Sequence, residues 1–215
     1  MPEIYYDELF FLIKEYVKNY KPKTILEIGS WDGTGSTLAF LQGVTENNLQ
    51  NDTSLFCLEA QKDRFEKLLN NTISYSFVKC YNRLSGNIND LRSEQEISDF
   101  MDKYPQLIIS QNPKEKVFGW RKEEDVWPVG VPDNGVTLIK EENNIKDFDM
   151  VLLDGSEFTG VADFKLTRNS GIFILDDINA MKNYENYLTL QADNDYSLIQ
   201  ESWQLRNGYA VFIKD

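Results

Sequence analysis

The segment of residues 24–36, TILEIGSWDGTGS, constrains the fold of this chain more than any other part of it. Its start is mostly apolar and ends near the acidic Glu27, which is typical of a short buried strand. A glycine-rich stretch from Gly29 to Gly35 follows, and glycine permits sharp turns and close approaches that a Cβ would block. The pattern predicts a strand, a turn that lies against a ligand, and a helix that begins at Ser36.

Glu27 distinguishes this turn from the G-x-G-x-x-G turn of dinucleotide sites, where a helix N-terminus holds an anionic pyrophosphate. A carboxylate at that place would repel phosphate, whereas it suits a ligand that carries positive charge. The amino group and sulfonium of S-adenosylmethionine (SAM) fit this description. The alternative role for Glu27 is interaction with the dipole of the following helix.

Four segments of the chain, taken in order, resemble the cofactor half of class I SAM-dependent methyltransferases. They are the E-x-G-x-x-x-G loop that begins at Glu27, the acid Glu59 after LFCL, Asp154 after FDMVLL, and Asp176-Asp177 after GIFIL. The last two segments are similar to the fourth and fifth strands of metal-dependent O-methyltransferases. Among these, the chain is closest to the macrocin type, which methylates deoxysugar hydroxyls, and to the catechol type.

The resemblance implies an α/β, Rossmann-like methyltransferase fold: a seven-stranded, mostly parallel sheet with an antiparallel terminal hairpin and helices on both faces. The alternation of strand-like and helix-like runs agrees with this fold. The predicted strands are Thr24–Ile28, Leu55–Leu58, Phe77–Tyr81, Met150–Leu153 and Ile172–Leu175, and a hairpin joins Tyr196–Leu205 to Tyr209–Lys214. The predicted helices are Tyr5–Lys18, Ser36–Leu41, Lys62–Asn70, Glu94–Tyr104 and Thr159–Arg168.

A length of 215 residues fits one methyltransferase domain that comprises residues 1–215. The resemblance leaves out residues 86–144, which we predict to be an insertion or lid, because long connections inside compact domains are usually functional. Within it, Leu107–Ile109 predicts a short extra strand. The segment Val117–Pro132, with Trp127 and Pro128, predicts a lid over the acceptor, and its alternative is packing against the sheet.

The resemblance implies a SAM site formed by Glu27, Gly29, Ser30, Trp31, Gly33, Ser36, Glu59 and Asp154. Glu59 is placed to accept hydrogen bonds from ribose hydroxyls, as an acid after the second strand also does in dinucleotide sites. Glu59 therefore does not distinguish SAM from a dinucleotide. In the alternative interpretation, Glu59 caps the helix that begins at Lys62. Trp31 is expected to cover the methionine end of SAM, and its alternative is plain packing.

Asp154, Asp176 and Asp177 form a second group of acids at the ends of neighbouring predicted strands. Three carboxylates so close together would repel one another unless a cation lies between them. Oxygen ligands favour Mg²⁺ or Mn²⁺. In the resembling enzymes the matching acids bind such a metal and two vicinal substrate hydroxyls complete its shell. The alternative is that Asp176 and Asp177 cap a turn between strand and helix.

Glu157 lies where the catechol-type enzymes carry a lysine base, and we predict it to be catalytic together with Asp154. In this hypothesis a metal holds the acceptor hydroxyl and Glu157 removes its proton. The alternatives are that Glu157 is a ligand or a surface residue and that Lys165 or Lys182 is the base. The chain has no histidine, which excludes Ser-His-Asp chemistry and histidine-ligated zinc.

Charge and hydropathy limit the partners. Twenty-two basic against 35 acidic residues give a formal charge of −13, which disfavours nucleic acid. No apolar run approaches the roughly 20 residues of a membrane helix, and we expect a cytoplasmic protein without a membrane partner. Cys57 and Cys80 are expected to be small buried apolar residues. The expected partner is a small-molecule or glycan acceptor, and a homodimer is left open.

The sequence thus predicts a SAM-dependent, divalent-metal-assisted O-methyltransferase that acts on a hydroxyl of a sugar, a glycan or another small molecule. One alternative is a nicotinamide-dependent oxidoreductase on a Rossmann sheet. Another is a non-catalytic module that binds an adenosyl ligand.

Overall fold

The computed structural model describes residues 4–124 and 130–215, and these contain one seven-stranded sheet. The strand order is β3-β2-β1-β4-β5-β7-β6. Strands β1 to β5 run parallel, and β7 is antiparallel to both β5 and β6. The predicted sheet and terminal hairpin are confirmed. The strands are β1 (Thr24–Ile28), β2 (Ser54–Leu58), β3 (Val78–Tyr81), β4 (Met150–Leu153), β5 (Ile172–Asp176), β6 (Tyr196–Ser202) and β7 (Tyr209–Lys214).

Helices cover both faces of the sheet, as predicted. Side chains alternate along each strand, so that Ile25 of β1 packs with the first three helices and Leu26 packs with the last three. The α-helices of the described residues are α1 (Glu8–Tyr20), α2 (Ser36–Glu46), α3 (Lys62–Thr72), α4 (Glu94–Lys103), α5 (Lys114–Glu124), α6 (Gly135–Asn143), α7 (Gly160–Thr167) and α8 (Tyr184–Gln191).

The region of residues 86–144 contains α4, α5 and α6. Helices α4 and α5 build a small apolar cluster of their own, into which Phe158 and Met181 insert from the carboxyl edge of the sheet. Trp127 and Pro128 lie outside the described residues. The role of this region as a lid stays a prediction.

The predicted extra strand at Leu107–Ile109 is wrong. These residues form a turn that leads into a short 3₁₀ helix, Ile109–Gln111, and the Ser110 N–H donates to the Leu107 carbonyl 3.0 Å away. Leu107 and Ile109 are buried in the small cluster of α4 and α5. Burial of a short apolar run does not distinguish a strand from a buried turn.

Cys57 and Cys80 are neighbours across β2 and β3, and both are free thiols. Cys57 is fully buried, and Cys80 is half-buried. No helix in residues 4–124 and 130–215 combines the length and the apolarity that crossing a bilayer requires.

Gly29 brings the carboxyl ends of β1 and β4 into contact. Its φ is +88°, and a Cβ built on it would lie 2.0 Å from the backbone oxygen of Asp154. The turn after β1 is also fixed to β2, because the N–H groups of Gly29 and Ser30 both donate to the Leu58 carbonyl. These contacts place three strand ends side by side.

We expect Gly29→Ala to lower the free energy of unfolding by roughly 2–4 kcal/mol, because the new Cβ overlaps backbone and the φ is left-handed. Gly119→Ala is the matched control. Gly119 lies inside α5 with no atom near the new Cβ, so this change should stabilise the protein by about 0.5–1 kcal/mol. Urea unfolding of both variants measures the difference, and equal effects would contradict the close contact.

Candidate active site

A cavity of about 470 Å³ opens at the carboxyl ends of β1, β2 and β4. This edge is where parallel α/β sheets bind ligands, and the volume suits a small molecule. The cavity wall includes these residues that the sequence predicted: Gly29, Ser30, Trp31, Ser36, Glu59, Asp154, Glu157 and Asp177. Glu27, Gly33 and Asp176 are absent from that wall.

Glu27 braces the turn after β1 from inside. It is fully buried, and its two carboxylate oxygens accept hydrogen bonds from Ser36 Oγ and Thr37 Oγ1, both at 2.6 Å. Burial raises the pKa of Glu27 above its ordinary value. The carboxylate thus links the end of β1 to the first turn of α2. Glu27 could affect a bound cofactor only indirectly, by positioning these two hydroxyl groups.

Gly33 also has a packing role. Its φ is +82°, and a Cβ there would lie 2.9 Å from the Leu68 side chain of α3. The glycine therefore lets α3 pack closely against the turn. The contact with Leu68 positions the loop, and residues near Gly33 in the chain form the cavity wall at this place.

Glu59 follows β2 and faces the cavity. Its carboxylate accepts hydrogen bonds from the backbone N–H of Trp31 at 2.9 Å and of Gln61 at 2.7 Å. An ionised carboxylate has about four acceptor positions, so two stay available for a ligand. The Arg64 guanidinium lies over the Trp31 ring, 3.2 Å from its centre. Trp31 is 46% exposed and has a left-handed φ of 51°, so this ring stands at the mouth of the cavity.

Ser30 supplies a buried hydroxyl with no hydrogen-bond partner among the described residues. Its residue is 3% exposed, and it lies on the cavity wall between the Gly29 turn and Glu59. Buried hydroxyls are nearly always paired in folded proteins. This orphaned group therefore fits a polar ligand in the cavity.

The acids at the ends of β4 and β5 surround a lysine. Lys182 Nζ lies 2.7 Å from Asp154 Oδ1 and 2.6 Å from Asp177 Oδ2. Lys182 is 8% exposed. The surrounding carboxylates outweigh its burial and hold the pKa of Lys182 well above the ordinary value, so the side chain is an ammonium ion.

The third acid has a different partner. Asp176 Oδ1 accepts a hydrogen bond from the Arg206 guanidinium at 2.7 Å, and Arg206 also pairs with Asp7, which caps α1. Burial raises the pKa of Asp176 to about 6, with repulsion from Asp177 adding to the effect. The Arg206 guanidinium therefore joins the β6–β7 turn to β5 through Asp176 and to α1 through Asp7.

The backbone around Lys182 is tightly held. A Cβ on Gly160 would lie 1.7 Å from the Lys182 carbonyl oxygen, so only glycine fits at the start of α7. The Asn183 side-chain amide donates to the carbonyls of Leu153 at 2.8 Å and Asp176 at 2.6 Å. Asn186 donates to the Gly160 carbonyl at 2.9 Å. These contacts fix Lys182 against the ends of β4 and β5.

Glu157 is next to this cluster and on the cavity wall. Its Oε1 accepts a hydrogen bond from the Lys182 backbone N–H at 3.2 Å. Burial is the largest cause that raises the pKa of Glu157 to about 7. A carboxyl with this pKa is well matched to proton transfer near neutral pH. Asp177 differs, because attraction and hydrogen bonding by Lys182 outweigh its burial and hold its pKa below the ordinary value.

The predicted metal ligands lie together, but the cation between them is part of the chain. Oxygen atoms of Asp154, Asp176 and Asp177 lie within 4.8 Å of one another. A divalent ion bound to Asp154 and Asp177 would lie close to the Lys182 ammonium, and like charges repel strongly at such distances. A metal ion therefore does not fit this arrangement, and the predicted Mg²⁺ or Mn²⁺ site stays a prediction that requires Lys182 to move away.

Several cavity residues were not among the predicted site residues. Asp163 of α7 is buried and accepts hydrogen bonds from Ser85 Oγ at 2.5 Å and Thr159 Oγ1 at 2.8 Å. Ser156 Oγ donates to Glu124 at the end of α5. Asp163 lies on a helix and Glu124 in the region without resemblance, so neither follows a strand and neither carries the signal that identified the other acids.

No family model and no curated protein matches this chain. Solved structures do match it. An O-methyltransferase from Bacillus cereus in complex with SAH (S-adenosylhomocysteine) is 13% identical, with a TM-score of 0.59 over 100% of this chain and 84% of that one. The O-methyltransferase TomG from Streptomyces achromogenes, involved in tomaymycin synthesis and solved with SAM, is 12% identical, with a TM-score of 0.57 over 100% and 83%.

A third structure, the SAH-bound methyltransferase PaMTH1 from Podospora anserina, is 13% identical, with a TM-score of 0.53 over 95% of this chain and 76% of that one. The fold is that of class I SAM-dependent methyltransferases. Identities this low establish the fold alone.

Asp163 gives a testable pH dependence. Burial raises the pKa of Asp163 to about 6 from its ordinary value of 3.8, so between these pH values the folded state retains a proton that the unfolded state has lost. Stability from this group is therefore fully present below pH 4 and is lost as pH rises through 6. We expect the difference in unfolding free energy between wild type and Asp163→Asn to fall by about 1 kcal/mol from pH 5 to pH 7. Urea unfolding at both pH values measures it, and a difference that rises with pH would contradict the assignment.

Proposed function

We propose that this protein is a SAM-dependent O-methyltransferase that acts on a hydroxyl of a small molecule. One observation carries the proposal: a single cavity joins a nucleoside-type end, with Glu59 and the Ser30 hydroxyl, to a charged end, with Glu157 and Lys182. Two of the three solved structures described above are O-methyltransferases, and they support the same class of reaction.

The cofactor end is formed by the Gly29 turn and the residue after β2. Glu59 would accept hydrogen bonds from ribose hydroxyls with its two remaining acceptor positions. Ser30 would bond to a polar group of the amino-acid part, and Trp31 would cover the opening. SAM supplies an electrophilic methyl group on a sulfonium ion. For the transfer of that methyl group, the protein has mainly to position the two reactants and to make the acceptor oxygen reactive.

The other end of the cavity activates the acceptor. Glu157 would take the proton of the acceptor hydroxyl, since its raised pKa lets it accept and hold a proton near neutral pH. Asp154 would act through its ion pair, by holding Lys182 beside the reacting oxygen. Lys182 is buried, which strengthens its electrostatic contacts.

The acceptor is proposed to be a sugar or a similar polyhydroxylated molecule. Polar side chains line part of the cavity, among them Arg83, Asn87, Ser156 and Glu124. These side chains offer hydrogen-bond donors and acceptors to the hydroxyl groups of a sugar. In this proposal a metal ion assists the reaction only if it displaces Lys182, because the two positive charges repel each other.

The nicotinamide oxidoreductase alternative also uses an acid after the second strand, so Glu59 supports both. The antiparallel end of the sheet, β6 and β7, favours the methyltransferase. Calorimetric titration with SAH and with NAD⁺ separates them. Binding of NAD⁺ without binding of SAH would overturn the proposal.

Glu59→Gln tests the cofactor end. The new amide group would face N–H donors of Trp31 and Gln61 and would lose acceptor positions, so SAH should bind roughly 10–100-fold more weakly. Glu66→Gln, an exposed change on the neighbouring α3, is the control and should leave SAH affinity unchanged. Calorimetry measures both, and an unchanged affinity of Glu59→Gln would remove the ribose role.

Glu157→Gln tests the base. Turnover with the best acceptor of a panel of glycosides and catechols should fall by roughly 100-fold or more, because amides do not accept the proton. SAH affinity should be retained, as it should be in the exposed control Glu141→Gln. Methyl transfer from labelled SAM gives the rate. Near-full turnover of Glu157→Gln would reassign the base, and no turnover by wild type with any acceptor would favour a binding module.

A further inference from the structure

The acids at the ends of β4 and β5 are paired with two cationic side chains of this chain. The Lys182 ammonium bonds to Asp154 and Asp177, and the Arg206 guanidinium bonds to Asp176. All three acids therefore have a cationic partner within hydrogen-bond distance. These ion pairs weaken the electrostatic reason for a divalent ion, which is repulsion among the carboxylates.

We propose that the Lys182 ammonium is the resident cation of this cluster, occupying the place of a divalent metal, and that it binds the oxygen of the acceptor hydroxyl. Only the second half of this inference, the bond to the acceptor hydroxyl, rests on the proposed function. The first half, exclusion of metal ions by Lys182, stands on the ion pairs alone.

The anchoring of Lys182 supports a permanent role. Its carbonyl packs on Gly160, where no Cβ would fit, and its neighbour Asn183 bonds to the backbone of both β4 and β5. Met181, on its other side, is fully buried in the cluster of α4 and α5. A lysine that merely neutralised surface charge would not require its backbone to be fixed on three sides.

The Lys182 ammonium has enough N–H donors to bind the oxygen of the acceptor hydroxyl. An ammonium carries three N–H groups, and the two carboxylates take two of them. Lys182 lines the cavity, so its third N–H is available for an acceptor oxygen there. A hydrogen bond from a cation stabilises developing negative charge on that oxygen, and a metal ion would have the same effect.

An unpaired acceptor lies at the same place. Asp177 Oδ1 is buried without a hydrogen-bond partner among the described residues, while Oδ2 of the same carboxylate holds Lys182. Asp177 also lines the cavity and has a left-handed φ of 57°. Non-glycine residues in this conformation are uncommon and concentrate at functional sites. A polar hydrogen of the bound acceptor would satisfy this oxygen.

The test compares Mn²⁺ binding, read from the electron paramagnetic resonance signal of free Mn²⁺, in wild type and three variants. Wild type should bind no Mn²⁺ at the cluster at about 1 mM ion, because the ammonium holds two of its ligands. Lys182→Met leaves the carboxylates open and should bind Mn²⁺ at least ~10-fold more tightly. Lys182→Arg keeps the charge and should behave as wild type. Lys146→Met, a change of a fully exposed lysine, is the control.

Two results would overturn the inference. One is tight Mn²⁺ binding by wild type, and the other is a folded Lys182→Met protein that gains no Mn²⁺ binding. Circular dichroism and urea unfolding establish whether Lys182→Met folds. If it does not fold, wild type and Lys182→Arg still decide, because strong binding by either contradicts exclusion by the resident cation.

A separate arm tests the acceptor role. Wild type treated with a chelator should retain its methyl-transfer rate. Lys182→Arg should raise the KM for the acceptor while its SAH affinity stays unchanged. Loss of turnover on chelation, restored by Mn²⁺, would overturn the acceptor role. Failure of wild type to bind SAH would instead overturn the proposed function, and it would leave the Mn²⁺ result valid by itself.

Discussion

The ion pairs of Lys182 with Asp154 and Asp177 are the contact on which the charged end of the cavity depends. Buried carboxylates without partners would cost several kcal/mol each and would repel one another at the ends of β4 and β5. Lys182 offsets part of both costs, because it bonds to Asp154 and to Asp177 beside the cavity. The glycine at the start of α7 and the amide of Asn183 can then be understood as the supports that keep this lysine in place.

The cluster of α4 and α5 is connected to this site through two neighbouring residues. Phe158 follows Glu157 and Met181 precedes Lys182, and both apolar side chains insert into that cluster. The region of residues 86–144, which the sequence motifs leave out, thus packs on the backbone that presents the proposed base and the proposed resident cation. We therefore expect changes in this region to alter the proposed acceptor end of the cavity and to leave the proposed cofactor end, at Gly29 and Glu59, as it is.

The sequence predicts the sheet well because strand signals are local: apolar runs such as Met150–Leu153 are bounded by polar turns, and acids after parallel strands have to meet at one edge. It cannot predict which partner each acid takes. Lys182 returns to Asp177 only because the loop between β5 and α8 folds back, and Arg206 reaches Asp176 from a hairpin turn. Glu27 shows the same limit, since its two hydroxyl partners on α2 make it a brace inside the turn.

A crystal structure of the protein grown with SAH and Mn²⁺, with anomalous diffraction recorded at the manganese edge, tests the central claim most directly. The account predicts SAH in the cavity with its ribose on Glu59, Lys182 still between Asp154 and Asp177, and no anomalous peak among the three acids. A manganese peak bonded to these carboxylates, with Lys182 turned away, would contradict it.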